Sequence, residues 1–126
     1  MVLIMLDYPA NSDPSSLRSA NVNYLIGYSS VYAGKPQGAM AAFERSLSSR
    51  PGPGRAMSMA SLMASQGYAK EALILSDTAL TQLAEETAED PRKVQKVKAS
   101  DIREFQETVR AALAAQQGAG IPDEAD

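Results

Sequence analysis

Two stretches of the chain, AGKPQGAMAAFERSL (33–47) and SQGYAKEALILSDTAL (65–80), overlay with a constant offset of 33 residues. Gly34 falls on Gly67, Ala39 on Ala72 and Ser46 on Ala79. Each stretch reads as a glycine that ends one helix in a left-handed turn, followed by a second helix. The small residues beyond the turn let helix axes approach closely. A helix–turn–helix unit recurring at about this period is the signature of a helical repeat array, in which every unit leaves an apolar face for a neighbour to cover.

Composition agrees. The 126 residues are 44% hydrophobic but only 6% aromatic, so Ala, Leu, Met, Val and Ile must build the core. Ala, Leu, Met, Gln and Glu favour helices, and long β-branched runs are nearly absent. The length suits one domain. An all-α single domain is the expectation.

Proline and glycine divide it into five helices. Asp13-Pro14 and Asp90-Pro91 both read as an N-cap followed by the first helical residue. Gly34 ends one helix and Pro36 starts the next, while Gly67 divides a second pair. Residues 50–54, RPGPG, read as non-helical. The helices are expected at about 14–33, 36–49, 54–66, 69–88 and 91–117. Their apolar positions are 17, 20, 24, 28 and 31; then Ala39, Met40, Phe43 and Leu47; then Met59, Ala60, Leu62 and Met63; then Ala72, Leu73, Leu75, Leu80 and Leu83; and last Val94, Val97, Ile102, Phe105, Val109, Ala112 and Leu113. Ser100-Asp101 could interrupt the last helix, because both residues prefer caps to interiors. Residues 118–126 form an acidic tail expected to be disordered. The opening MVLIML (1–6) is too short to span a bilayer and lacks the flanks of a signal peptide. Within residues 1–13 it reads as an edge strand, a flap packed on the helices, or the stub of a larger, conceivably membrane-attached, protein.

The residues on either side of the glycine turns resemble the tetratricopeptide repeat family, whose motif is W-x2-L-G-x2-Y, a turn, A-x3-F and a closing P. In the first unit Ile26-Gly27 stands for L-G, Ala39 for the small residue, Phe43 for F and Pro51 for P, while Asn23 and Ser30 replace the Trp and Tyr. In the second, Met59-Ala60 stands for L-G, Ala72 and Ala79 keep the small positions, Ser76 replaces the Phe and the closing Pro is missing. The resemblance implies antiparallel helix pairs stacked as a short right-handed superhelix, with repeats at about 20–53 and 54–86 and a capping helix at about 91–117.

Tyr24, Tyr28 and Tyr32 carry three of the five tyrosines in a chain with no Trp and two Phe. Spaced by four, they form one slowly curling ridge. The family register puts them on the concave side of the first repeat, with Met57, Ser61 and Ser65 as their counterparts in the second. Tyrosine suits a recognition surface, having a rigid apolar face and a polar tip. The ridge is equally readable as covered within the chain, by the fifth helix or by MVLIML.

Chemistry is not indicated. With no His and no Cys, the usual general base, the commonest metal ligand and every thiolate are missing, and a disulfide framework is impossible. Ser29-Ser30 and Ser48-Ser49 lack the G-x-S-x-G elbow, and GKPQG (34–38) lacks the spacing of a phosphate loop. The acidic pairs Glu85/Glu86 and Glu89/Asp90 lie beside Arg92, Lys93, Lys96 and Lys98, a solvated neighbourhood rather than a catalytic dyad. Net charge is −3, with residues 1–63 at +2 and the remainder at −5, so a basic nucleic-acid face is not expected. The compartment, cytoplasm or periplasm, stays open. The expectation is a non-catalytic module that holds a protein or peptide, without cofactor, metal or small-molecule substrate. The other reading is a structural domain that self-associates as a homo-oligomer or acts as a spacer in a larger protein.

Overall fold

The structure, a computed structural model, describes residues 14–120. The expected N-terminal flap and most of the acidic tail lie outside them. Among the described residues all regular structure is helical: α1 (Pro14–Tyr32), α2 (Pro36–Ser49), α3 (Pro53–Ser65), α4 (Ala69–Glu89) and α5 (Ala99–Gly120). They fall into two compact units divided after Gly52. The first contains the pair α1–α2; the second contains the pair α3–α4, with α5 packed on α4.

The turns within the two pairs are built alike. Gly34 has φ 76° and Gly67 φ 86°, the left-handed region that glycine enters without a Cβ penalty. The Gly34 N–H donates to the Val31 carbonyl at 3.1 Å, and the Lys35 N–H to the Ser30 carbonyl at 2.9 Å. Gly67 to Ala64 at 3.1 Å and Tyr68 to Met63 at 2.9 Å repeat the arrangement. These paired bonds satisfy carbonyls that a helix end would otherwise strand. Lys35 and Tyr68 then accept, through their own carbonyls, from Ala39 and Ala72 at 3.0 Å, so the next helix starts without a linker. Pro36 occupies its first turn in α2, where no N–H is needed.

In the first unit α1 meets α2 through small residues. Ala20, Ala39 and Ala42 are fully buried, and Phe43 lies against Gly27, where an added Cβ would overlap the ring. Ser46 is buried and donates to the Ala20 carbonyl of α1 at 2.7 Å. Of the apolar positions assigned to α1, Ala20 and Val31 are buried, Tyr24 is half-buried, and Leu17 and Tyr28 are exposed. The contact line runs through Gly27 instead, because the Phe43 ring fits only where α1 carries no side chain.

In the second unit Ala56, Met59, Ala60 and Met63 of α3 pack with Ala72, Leu75, Ala79 and Leu83 of α4 as the core. Ile102 and Val109 bury the inner stripe of α5. Gln106, one turn along the same stripe, is only 3% exposed. Its Nε2 donates to Ser76 Oγ at 2.9 Å and to Asp77 Oδ1 at 2.7 Å, while Ser76 Oγ donates to the Leu73 carbonyl at 2.8 Å.

The starts of two helices differ from expectation. Pro53 and Gly54, assigned to a non-helical run, open α3: Pro53 is its first residue, and Ser58 Oγ donates back to the Gly54 carbonyl at 3.1 Å. The helix expected over 91–117 starts only at Ala99. Asp90 is not its N-cap. The Asp90 N–H ends α4 on the Glu86 carbonyl at 3.0 Å, and its carboxylate accepts from the Arg92 N–H at 3.2 Å, which turns the chain away. Val97 then comes down beside Gly54, within 3.8 Å of where a Cβ there would stand. Arg92, Lys93 and Lys96 consequently lie in a loop, clear of the positive end of a helix dipole. Asp101, expected as a possible interruption, sits in the first turn of α5, where a negative charge is favourable.

Candidate partner-binding face

The tyrosine ridge on α1 is a continuous run of ring contacts. Tyr24 packs against Phe43 with centroids 5.8 Å apart. Tyr24 and Tyr28 are 6.4 Å apart, and Tyr28 and Tyr32 4.9 Å, each pair tilted by a little over 40°. Such offset, tilted rings avoid the unfavourable face-to-face overlap of their quadrupoles. The inner end of the ridge is anchored in the pair's core and the outer end faces solvent: Tyr28 is 42% and Tyr32 55% exposed. The three rings are thus neither all core nor all surface.

Around them α1 carries further exposed apolar side chains. Leu17 and Leu25 fall with Tyr28 and Tyr32 at three- and four-residue spacing, with Asn21 between them, so they share one stripe of the helix. Leu25 is 61% exposed. A shallow, open depression at the C-terminal end of the stripe is lined by Tyr28, Ser29, Tyr32 and Ala33. The signal for this stripe was present in the sequence, since the spacing that brings 17, 21, 25, 28 and 32 together is the ordinary helical one. It was obscured because Leu17 and Tyr28 share a spacing with the true core position Val31.

The Tyr32 phenol is held above the ordinary tyrosine value of 10.0, first by a hydrogen bond with the Tyr28 side chain and then by the repulsion a phenolate would meet from Tyr28.

Elsewhere on the first pair, Asn23 stands where the repeat motif has Trp. Its Nδ2 donates to the Ser19 carbonyl at 2.9 Å and its Oδ1 accepts from Arg45 Nε at 3.0 Å. Ser19 and Ser49 join the same polar seam through hydroxyls 3.0 Å apart. A polar depression opens there, lined by Ser19, Asn23, Glu44, Arg45 and Ser48 among others. No sequence pattern marked it, because its members are single polar residues from two helices.

The counterparts on α3 lie in the other unit. Met57 is half-buried, while Ser61 and Ser65 are exposed, the Ser65 hydroxyl donating to the Leu62 carbonyl at 2.7 Å. In the loop after α4, Lys93 pairs with Glu86 at 3.2 Å in a solvated setting, and Val94 is 88% exposed. Among the described residues no group of three or more acidic side chains is disposed to hold a metal, and no helix is long and apolar enough to cross a membrane. No protein-family model matches the chain, and neither a curated protein nor a solved structure matches it.

Proposed function

We propose that the chain is a non-catalytic interaction module that holds a peptide or protein segment against the tyrosine-bearing face of α1. The observation that carries this reading is the exposure of Tyr28 and Tyr32 on a helix whose inner flank, at Gly27 and Tyr24, is already filled by Phe43. Exposed rings braced by their neighbours lose little freedom on binding, and tyrosine supplies both contact area and a hydroxyl for the partner's backbone. The resemblance to tetratricopeptide repeats supports the same side of the helix, since ligands of that family bind along the first helix of each unit. Met57, Ser61 and Ser65 carry the corresponding positions on α3.

Selection from a random peptide library on the full chain tests the reading. Selected peptides are expected to lose binding on Tyr28→Ala and Tyr32→Ala, while the variants keep their helical circular dichroism. Peptides that bind these variants as well as the parent would overturn it. The same assay on Met57→Ala asks whether α3 takes part.

A further inference from the structure

The polar depression on the first helix pair is lined by Ser19 and Asn23 of α1 and by Glu44, Arg45, Ser48 and Ser49 of α2, and it measures about 540 Å³. That size suits a small ligand or a residue or two of a peptide. At about 100° per residue, Ser19 and Asn23 lie about 180° and 140° around α1 from Tyr28, so the depression is separate from the tyrosine stripe. We infer that it is a carboxylate-binding site, with the Arg45 guanidinium as its cation and serine hydroxyls as its neutral donors. The inference does not rest on the tyrosine face.

Asn23 holds Arg45 in place. Arg45 Nε donates to Asn23 Oδ1 at 3.0 Å, and Asn23 is fixed in turn by Nδ2, which donates to the Ser19 carbonyl at 2.9 Å. With Nε engaged, the two Nη atoms at the end of the fork remain, and their parallel N–H groups match the two oxygens of a carboxylate. Among the described residues no carboxylate lies within ion-pair distance of Arg45. The Ser19 and Ser49 hydroxyls are 3.0 Å apart; one proton serves that contact, which leaves the other hydroxyl free to donate. Exposed Ser48 stands one turn beyond Arg45 on the same side of α2. The wider field has the same sign. Residues 14–52 of the first unit hold four cations, Arg18, Lys35, Arg45 and Arg50, and one acid, Glu44, and so carry +3 in a chain of net charge −3. Glu44 selects among anions: its carboxylate in the lining disfavours a phosphate dianion and can accept an N–H from the ligand. An acidic residue within a peptide supplies both groups, a side-chain carboxylate for Arg45 and a backbone N–H for Glu44.

Titration of the full chain with the acetylated, amidated tripeptide Gly-Glu-Gly at constant ionic strength tests the site by nuclear magnetic resonance. Saturable shifts of the Arg45 Nε–H signal and of the Ser48 and Ser49 amides are expected, with the Gly-Gln-Gly analogue roughly tenfold weaker. Arg45→Lys keeps the charge and loses the fork, and should weaken binding about tenfold. Asn23→Leu keeps the cation and removes its brace, and should weaken binding several-fold. Neither residue is buried, and helical circular dichroism checks that both variants fold. Shifts that do not saturate, a glutamine analogue that binds as well, or an Arg45→Lys chain that binds like the parent overturns the proposal. Tighter binding of the phosphoserine analogue overturns it too, because Glu44 would then not be selecting a carboxylate. Acetate is the remaining arm: weaker binding than the tripeptide supports a peptide residue as the ligand, and equal binding supports a free carboxylate at the same site. Neither result bears on the peptide selection, which reads Tyr28 and Tyr32.

Discussion

Phe43 of the first helix pair and Ser76 of the second stand 33 residues apart, at the same distance beyond matching glycine turns. In the first pair the large ring fills the space between the helices, and Gly27 makes room for it. In the second the residue 33 positions beyond Gly27 is the buried Ala60, and Ser76 offers a hydroxyl instead of a ring. Gln106 of α5 meets that hydroxyl, so the second pair is completed by a third helix. The apparent decay of the motif at Ser76 thus has a physical counterpart: what an aromatic does within one pair, a buried hydrogen bond from α5 does in the other. The pairs also differ outwardly. The second unit covers α4 with α5, whereas the outer stripe of α1 keeps two tyrosines and two leucines exposed.

The largest expected effect is at the ring itself. Phe43→Ala should cost about 3–5 kcal/mol in urea unfolding, the usual range for a fully buried aromatic. A loss below 1 kcal/mol would mean that the first pair does not depend on its ring. Gly27→Ala should cost about 1–3 kcal/mol through overpacking. Most of that cost should vanish in a Phe43→Ser background, which imitates the second pair; additive losses in the double-mutant cycle would break the comparison. Gln106→Ala should cost about 1–2 kcal/mol, from a lost buried bond and the space it leaves. An equal cost in a Ser76→Ala background would show that the two residues are uncoupled.

The smallest effect concerns Tyr32. Its folded-state ionisation lies above that of the unfolded chain, so its contribution to stability is present in full below about pH 10 and is lost as pH rises through the folded value. Tyr28→Phe removes the hydrogen bond and should lower the Tyr32 midpoint, read from the tyrosine ring-carbon resonances. An unmoved midpoint would rule out Tyr28 as the cause.

Much of this architecture was legible in the sequence. The turns at Gly34 and Gly67 were placed correctly because a helix end in the left-handed region all but requires glycine, and α2 runs over the expected residues. The start of α5 was not legible. Asp90-Pro91 has the same local chemistry as Asp13-Pro14, and what separates them is tertiary: α4 ends on Asp90 and Val97 settles beside Gly54. Gln106 was missed for a related reason, since a lone glutamine on an apolar stripe reads as solvent-facing until its partner on α4 is known. The tyrosines were located but not resolved into core and surface, because four-residue spacing carries all three rings to one side of the helix. Only the position of Phe43 shows where the core stops.

That division is the basis of the functional reading, and comparing Tyr24→Ala with Tyr28→Ala by equilibrium unfolding tests it most directly. Tyr24, half-buried on Phe43, should cost about 2–3 kcal/mol, and Tyr28 about 1 kcal/mol or less. A loss of about 3–5 kcal/mol at Tyr28 would make the whole ridge core and leave no face for a partner.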